Sequence, residues 1–146
     1  MMLHLVNSDV QIPEPIRVEE FLASIPDPQL RADSIELARI MEEETGQAPI
    51  LWGPSIIGFG RFDTMENRHC LCDGLEVGFA PRAECGQQSA RIVLYLRHYS
   101  PHYHEFLQRI GDIHAGRASI SMPRLADVDQ RILRDLIRFA WRDIDR

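Results

Sequence analysis

GLEVGFAPRAECGQQSARIVLYLR, residues 74–97, is the stretch that decides the fold. It holds two runs of alternating character, GLEVGFA and RIVLYLR, joined by RAECGQQSA. In the first run Leu75, Val77 and Phe79 share one face. In the second, Ile92, Leu94 and Leu96 do. A period of two is the signature of a strand with one buried face. The link is hairpin length, so the two strands are expected to run antiparallel. Glu76, Gly78, Ala80, Arg91, Val93, Tyr95 and Arg97 then fall on the other face.

Upstream, SIIGFGRF (55–62) reads as a third strand, reached through a link of residues 63–73. It belongs to ILWGPSIIGFGRF (50–62), which carries Gly53, Gly58 and Gly60 beside Trp52 and Pro54. Strands avoid glycine, which costs backbone entropy and packs nothing. Such glycines either floor a site that something approaches closely or permit a bend. With Ile57 and Phe59 directed to the core, Gly58 and Gly60 belong to the opposite face. Trp52-Gly53-Pro54-Ser55 reads as a turn entering the sheet.

Before the strands the period is 3.6. Residues 1–12 are expected to form an extended arm. Val18, Phe21, Leu22 and Ile25 then make one helical stripe, stopped by Pro26. Asp27 and Pro28 mark the cap and first turn of a second helix. It runs to about Thr45, buries Leu30, Ser34, Leu37, Ala38 and Met41, and ends at a left-handed Gly46. After the strands, Ser100 and Pro101 open a short helix with Tyr103, Phe106, Leu107 and Ile110 on its stripe and Gly111 at its end. ASISM (118–122) is a weaker fourth strand. Asp127 is expected to cap a last helix, with Val128, Ile132, Leu136 and Ala140 running beside Leu133, Ile137 and Trp141. The order is αα-βββ-α-β-α: an α+β fold, with an antiparallel sheet of about four strands and helices packed on one face. One domain over residues 1–146 is expected.

Composition narrows the partners. The chain is 45% apolar and 26% charged, an ordinary globular balance. Its net charge of −6 argues against a nucleic-acid partner, for which a basic face is expected. All 16 bases are arginine, which provides a planar fork at every cationic position. Cys70, Cys72 and Cys85 are an odd, sparse set, which suits a reducing compartment rather than a disulfide framework. MMLHLVNSDVQ has neither a positive leader nor a long apolar run, so no signal peptide or membrane span is expected and a cytoplasmic location is.

Several groups could carry chemistry. The face bearing Gly58 and Gly60 has tyrosine and arginine beside a glycine floor. It suits an anionic or planar ligand, since arginine forks match carboxylates; a second copy of the chain could cover it instead, giving a homodimer. HCLC (69–72) and HYSPHYHE (98–105) are histidine- and cysteine-bearing clusters. The first lacks the two-residue spacer of zinc knuckles. In the second, His102 and Glu105 are three apart on a helix and could share a metal. Glu14, Glu19, Glu20, Asp33, Glu36, Glu42, Glu43 and Glu44 crowd the first two helices; they read as solvated faces that could hold a ferrous ion loosely. Arg131, Arg134, Arg138 and Arg142, with Asp135 among them, read as an ion-paired solvent face. RIGDIHAGRASI (109–120) places its glycines before a strand, the reverse of a phosphate loop. No G-x-S-x-G elbow, dinucleotide fingerprint or H-E-x-x-H occurs in the sequence.

The run Trp52-Gly53-Pro54-Ser55-Ile56, continued by Gly58, Phe59 and Gly60, resembles the W-G-P-S-I-x-G-F-G hallmark of the YdhG-like family. VGFAPR (77–82), LYL (94–96), Gly111 to Gly116-Arg117 and RLADVD (124–129) extend the resemblance over nearly the whole chain. Arg117 stands where lysine is common in the family, and HCLC is an insert. The resemblance implies a small α+β protein, with one branch of the family labelled a frataxin-like intracellular iron chaperone; it implies no catalytic set.

Three readings follow. The first is a binding protein for a small anionic molecule or a protein partner, its site drawn from Trp52, Ser55, Gly58, Gly60, Arg82, Tyr95, Arg97 and Arg117. The second is an iron chaperone holding Fe(II) through Glu19, Glu20, Glu36 and Glu43, with His102 and Glu105. The third is an enzyme of unassigned reaction, in which His114 or a cysteine would meet Ser55 in a closed pocket.

Overall fold

The computed structural model describes residues 15–60, 77–96, 102–116 and 119–144. The chain opens with α1 (Pro15–Ala23) and α2 (Pro28–Thr45). Val18 and Leu22 of α1 are buried, as is Ile25 just beyond it. Asp27 caps α2 as its sequence demands: its carboxylate accepts from the Gln29 N–H at 2.9 Å and the Leu30 N–H at 3.2 Å. Gly46 closes the helix at φ 73°, donating its N–H to the Glu42 carbonyl. Arg31 donates to the Ile25 carbonyl at 2.6 Å and pins the corner between the helices.

Among the described residues six strands follow, where the sequence suggests about four. They are β1 (Ile50–Trp52), β2 (Ile56–Phe59), β3 (Val77–Arg82), β4 (Arg91–Leu96), β5 (His114–Ala115) and β6 (Ser119–Met122). The spatial order is β1-β2-β3-β4-β6-β5, with every neighbouring pair antiparallel. The added strands are the two edges, three and two residues long. The strand expected over 55–62 is therefore one arm of a hairpin. Trp52 pairs with Ile56, and Gly53, Pro54 and Ser55 form the corner between β1 and β2 rather than the entrance to the sheet.

For the strand residues described, the expected parity is the observed one; Leu75, Glu76 and Arg97 lie outside them, and Gly60 follows its strand. Leu51, Ile57, Phe79, Leu94 and Ile120 lie on one face in register, and all belong to the main core. The helices cover that face. Leu37, Ile40 and Met41 of α2 join the same core, with Ile110 of α3 (Tyr103–Ile110) and Leu133, Leu136 and Ile137 of α4 (Gln130–Ile144). His102 occupies the position before α3; the expected Ser100–Pro101 start lies outside the described residues.

One cap is shifted. Asp127 ends a 3₁₀ turn, Leu125–Asp127, and Asp129 caps α4 instead, accepting from the N–H groups of Arg131 at 2.9 Å and Ile132 at 3.3 Å. The register is fixed from outside the helix. Asp129 N–H donates to the Ile110 carbonyl at 2.6 Å, and Gly111 and Val128 form an antiparallel bridge.

Candidate functional site

The sheet face turned away from the helices carries a second, smaller apolar cluster. Trp52, Ile56 and Ala80 form it, with Ile50 and Tyr95 packed against it. The register explains this. Ile50, Gly58, Gly78, Tyr95 and Ser119 occupy one row across five strands. The row above Tyr95 on this face runs Ala80, Val93, Ser121 and His114. Side chains of directly opposed residues share a face, so the glycines lie between Ile50 and Tyr95.

The three glycines of the hallmark stretch separate into two kinds. Gly53 at φ 62° and Gly60 at φ 82° are left-handed, so they turn the chain. Gly60 follows β2 rather than extending it. Gly58 is in the strand proper, opposite Gly78. The expectation of an open glycine floor needs correction: Gly58, Gly60 and Gly78 are all buried, and Trp52 is 1% exposed. Trp52 packs with Ile56 and Ala80, and Gly58 and Gly78 occupy the neighbouring row opposite Ile50.

The accessible part of this face lies beside that cluster, at the β1–β2 corner and the far end of β3. There Arg82 donates to the Ser55 hydroxyl oxygen at 3.0 Å and to the Tyr95 phenol oxygen at 3.3 Å. All three residues are half-buried. Ser55 comes from the hairpin corner, 27 positions from Arg82, and Tyr95 from β4, 13 away, so three elements converge on one guanidinium. Among the described residues no carboxylate pairs with Arg82. Each hydroxyl oxygen accepts from the guanidinium, so its own proton is free to donate elsewhere. The result is a cluster of donors: two hydroxyls and the remaining guanidinium N–H groups. Chemically such a cluster takes an anion.

Of the other expected ligand-binding residues, Trp52 is buried in the smaller apolar cluster, Gly58 is buried in β2 opposite Gly78, and Gly60 is buried just past β2. Arg97 and Arg117 lie outside the described residues. The sequence placed Arg91 on this face without a role; β-pairing sets it directly opposite Arg82. His114 is on the same face as Ser55, but at the β5 edge, four strands from β2. Cys85 is exposed in the β3–β4 turn, and His69, Cys70 and Cys72 are outside the described residues.

The acids chosen for iron are dispersed. Glu19 and Glu20 are exposed on α1. Glu36 and Glu43 on α2 clasp Arg39 from either side, and Glu43 also meets Arg134 at 3.0 Å. The Arg39 hydrogen bond holds the Glu36 carboxyl below the usual carboxylate range. His102 stacks edge-on against Phe139, with ring centres 5.9 Å apart, and Glu105 is exposed one turn along α3. No group of three or more His, Cys, Asp or Glu side chains placed to hold a metal ion occurs among the described residues.

Two acids read as solvated are neither. Asp33 is 8% exposed and accepts from the Leu125 N–H at 3.0 Å and from Arg124 at 3.3 Å, latching α2 to the segment before α4. Glu44 accepts from Arg134 and Arg138, each at 2.8 Å. Burial pushes the Glu44 carboxyl up, but those two hydrogen bonds outweigh it and hold the carboxyl below its ordinary value. Both positions were within reach of helical arithmetic. Asp33 and Glu44 fall at i+3 from Leu30 and Met41, on the buried stripe of α2.

No helix among the described residues is long and apolar enough to cross a membrane. Comparison with family models, curated proteins and solved structures gives no match for this chain.

Proposed function

We propose that this chain is a small cytoplasmic binding protein of the YdhG-like kind, which recognises an anionic ligand at Ser55, Arg82 and Tyr95. The observation that carries the reading is the Arg82 guanidinium itself. It is half-buried, fixed by two hydroxyls from separate elements, and without a carboxylate partner among the described residues. A guanidinium in a structural role is normally compensated by an acid or, as at Arg31, by a backbone carbonyl, whereas among the described residues Arg82 meets two neutral hydroxyls. Arg134 and Arg138 of the same chain follow that norm, sharing Glu44. The fixed hydroxyls set the plane of the guanidinium before any ligand arrives, which lowers the ordering cost of binding. The family resemblance supports the location, because Ser55 lies in the hallmark run and Arg82 ends VGFAPR.

Thermal denaturation in the presence of a panel of small carboxylates and phosphates, at matched ionic strength, tests this. A ligand at ten times its Kd adds about 1.4 kcal/mol, which is roughly 4–5 °C for a domain of this size. At least one anion is expected to raise the Tm by that amount in the wild type and not in Arg82→Gln. If no anion in the panel acts in an Arg82-dependent way, the reading is wrong.

A further inference from the structure

Arg82 and Arg91 are direct cross-strand partners at the last paired position of β3 and β4 before their connecting turn. Their Cβ atoms share a face and are roughly 5 Å apart, as in any antiparallel pair. Like charges placed there repel. Among the described residues neither has a carboxylate partner, the turn's own Glu84 included. Among the other described arginines, Arg39, Arg124, Arg134 and Arg138 each meet an acid, and Arg31 and Arg109 donate to backbone carbonyls. The two guanidiniums are also held differently. Arg82 is fixed by Ser55 and Tyr95, whereas among the described residues Arg91 reaches the Ser89 carbonyl, at 3.4 Å in an exposed contact.

We propose that the group recognised at this site is a phosphate monoester, and that Arg91 is the residue selecting it over a carboxylate. The proposal rests on the reading of Arg82 as an anion-binding residue and names the class of anion. A carboxylate carries one charge on two oxygens, and one guanidinium fork satisfies both. A phosphate monoester carries close to two charges at neutral pH on three strong acceptor oxygens. It takes the Arg82 fork, the Ser55 and Tyr95 hydroxyl protons, and a second guanidinium. Arg91 provides that second group by turning from a weak, solvent-exposed contact, so little is lost on engagement. Binding then removes the repulsion between the paired arginines, and it does so fully only when the ligand brings two charges.

Phenyl phosphate and benzoate share a ring and differ in the charged group, so their comparison isolates it. Each is titrated into the full chain at pH 7.5 and matched ionic strength, with Kd taken from amide and arginine Nε–H shifts. In the wild type, phenyl phosphate is expected to bind about ten-fold more tightly than benzoate, with the shifts centred on Ser55, Arg82, Arg91 and Tyr95. Arg91→Gln is expected to bring the two affinities together by weakening phenyl phosphate alone. Arg82→Gln is expected to remove both. The wild-type shifts carry the test even if a variant fails to fold. Equal wild-type affinities, or an unchanged preference in a folded Arg91→Gln, overturn the phosphate assignment while leaving anion binding at Arg82 intact. If neither ligand moves the resonances of Ser55, Arg82 or Tyr95, both readings fall together.

Discussion

Gly53 and Gly111 are both left-handed, yet they should fail differently on substitution. Gly53, at φ 62° in the half-buried β1–β2 corner, is left-handed, so Gly53→Ala should cost about 1–2 kcal/mol in backbone strain. Gly111, at φ 122°, would place a Cβ 2.5 Å from the Asp127 carbonyl oxygen. Gly111→Ala must therefore break the bridge that sets the start of α4, at about 2–4 kcal/mol. Urea midpoints for the two variants check the ranking. Asp33 offers a third case. Its removal leaves the Leu125 N–H buried without a partner, so Asp33→Ala is expected to cost about 2–3 kcal/mol. Glu19→Ala, exposed on α1, should stay within about 0.5 kcal/mol. At this scale the sequence was informative about which positions matter and less so about why. Three glycines in one apolar stretch drew the eye to Gly53, Gly58 and Gly60. In the fold, Gly53 and Gly60 turn the chain at positive φ, whereas Gly58 lies within β2 opposite Gly78. Asp33 is charged, yet its place on the buried stripe of α2, not its charge, decides its role.

Between elements, the contact from α2 to α4 is carried by Glu44 with Arg134 and Arg138. The Glu44 carboxyl is held below its ordinary value in the folded chain. The folded protein therefore binds that proton less readily than the unfolded one, and stability from this group is present above the ordinary carboxylate pKa. It is lost as pH falls through the lowered folded value. Glu44→Gln should cost about 1–2 kcal/mol at pH 7, since each arginine keeps a partial partner and some solvent. The gap between variant and wild type should then close as pH falls below about 4. Denaturant melts across that range measure it. Elements with strong local signals were legible: α2 has its cap, its stripe and its terminating glycine written in order, and β3 and β4 alternate cleanly. The edge strands β1 and β5 were not, because three and two residues are too few to display a period. The cap of α4 was misplaced for another reason. Asp127 and Asp129 are equally good capping residues, and the choice between them is made by the Ile110 carbonyl, a tertiary partner.

Across the molecule, one continuous apolar core joins residues from all four described helices and from all the strands except β5. No helix has a core of its own, so partial unfolding would expose the face shared by the rest. A single transition is expected, with calorimetric and van't Hoff enthalpies in agreement; a resolved second transition would show that some element is held separately. The overall class was legible because the change of period from 3.6 to 2 and back is a property of the whole chain. The donor cluster at Arg82 was legible only in part, because Ser55 and Tyr95 meet there through pairing across three strands. The same sheet has a consequence at its borders. A strand that ends a sheet invites a neighbour's strand to continue it. Here β1 is three residues long and packed by α1, and β5 is two residues long. Among the described residues neither border offers a ladder of useful length, which guards both sides against the strand-by-strand growth that leads to fibres.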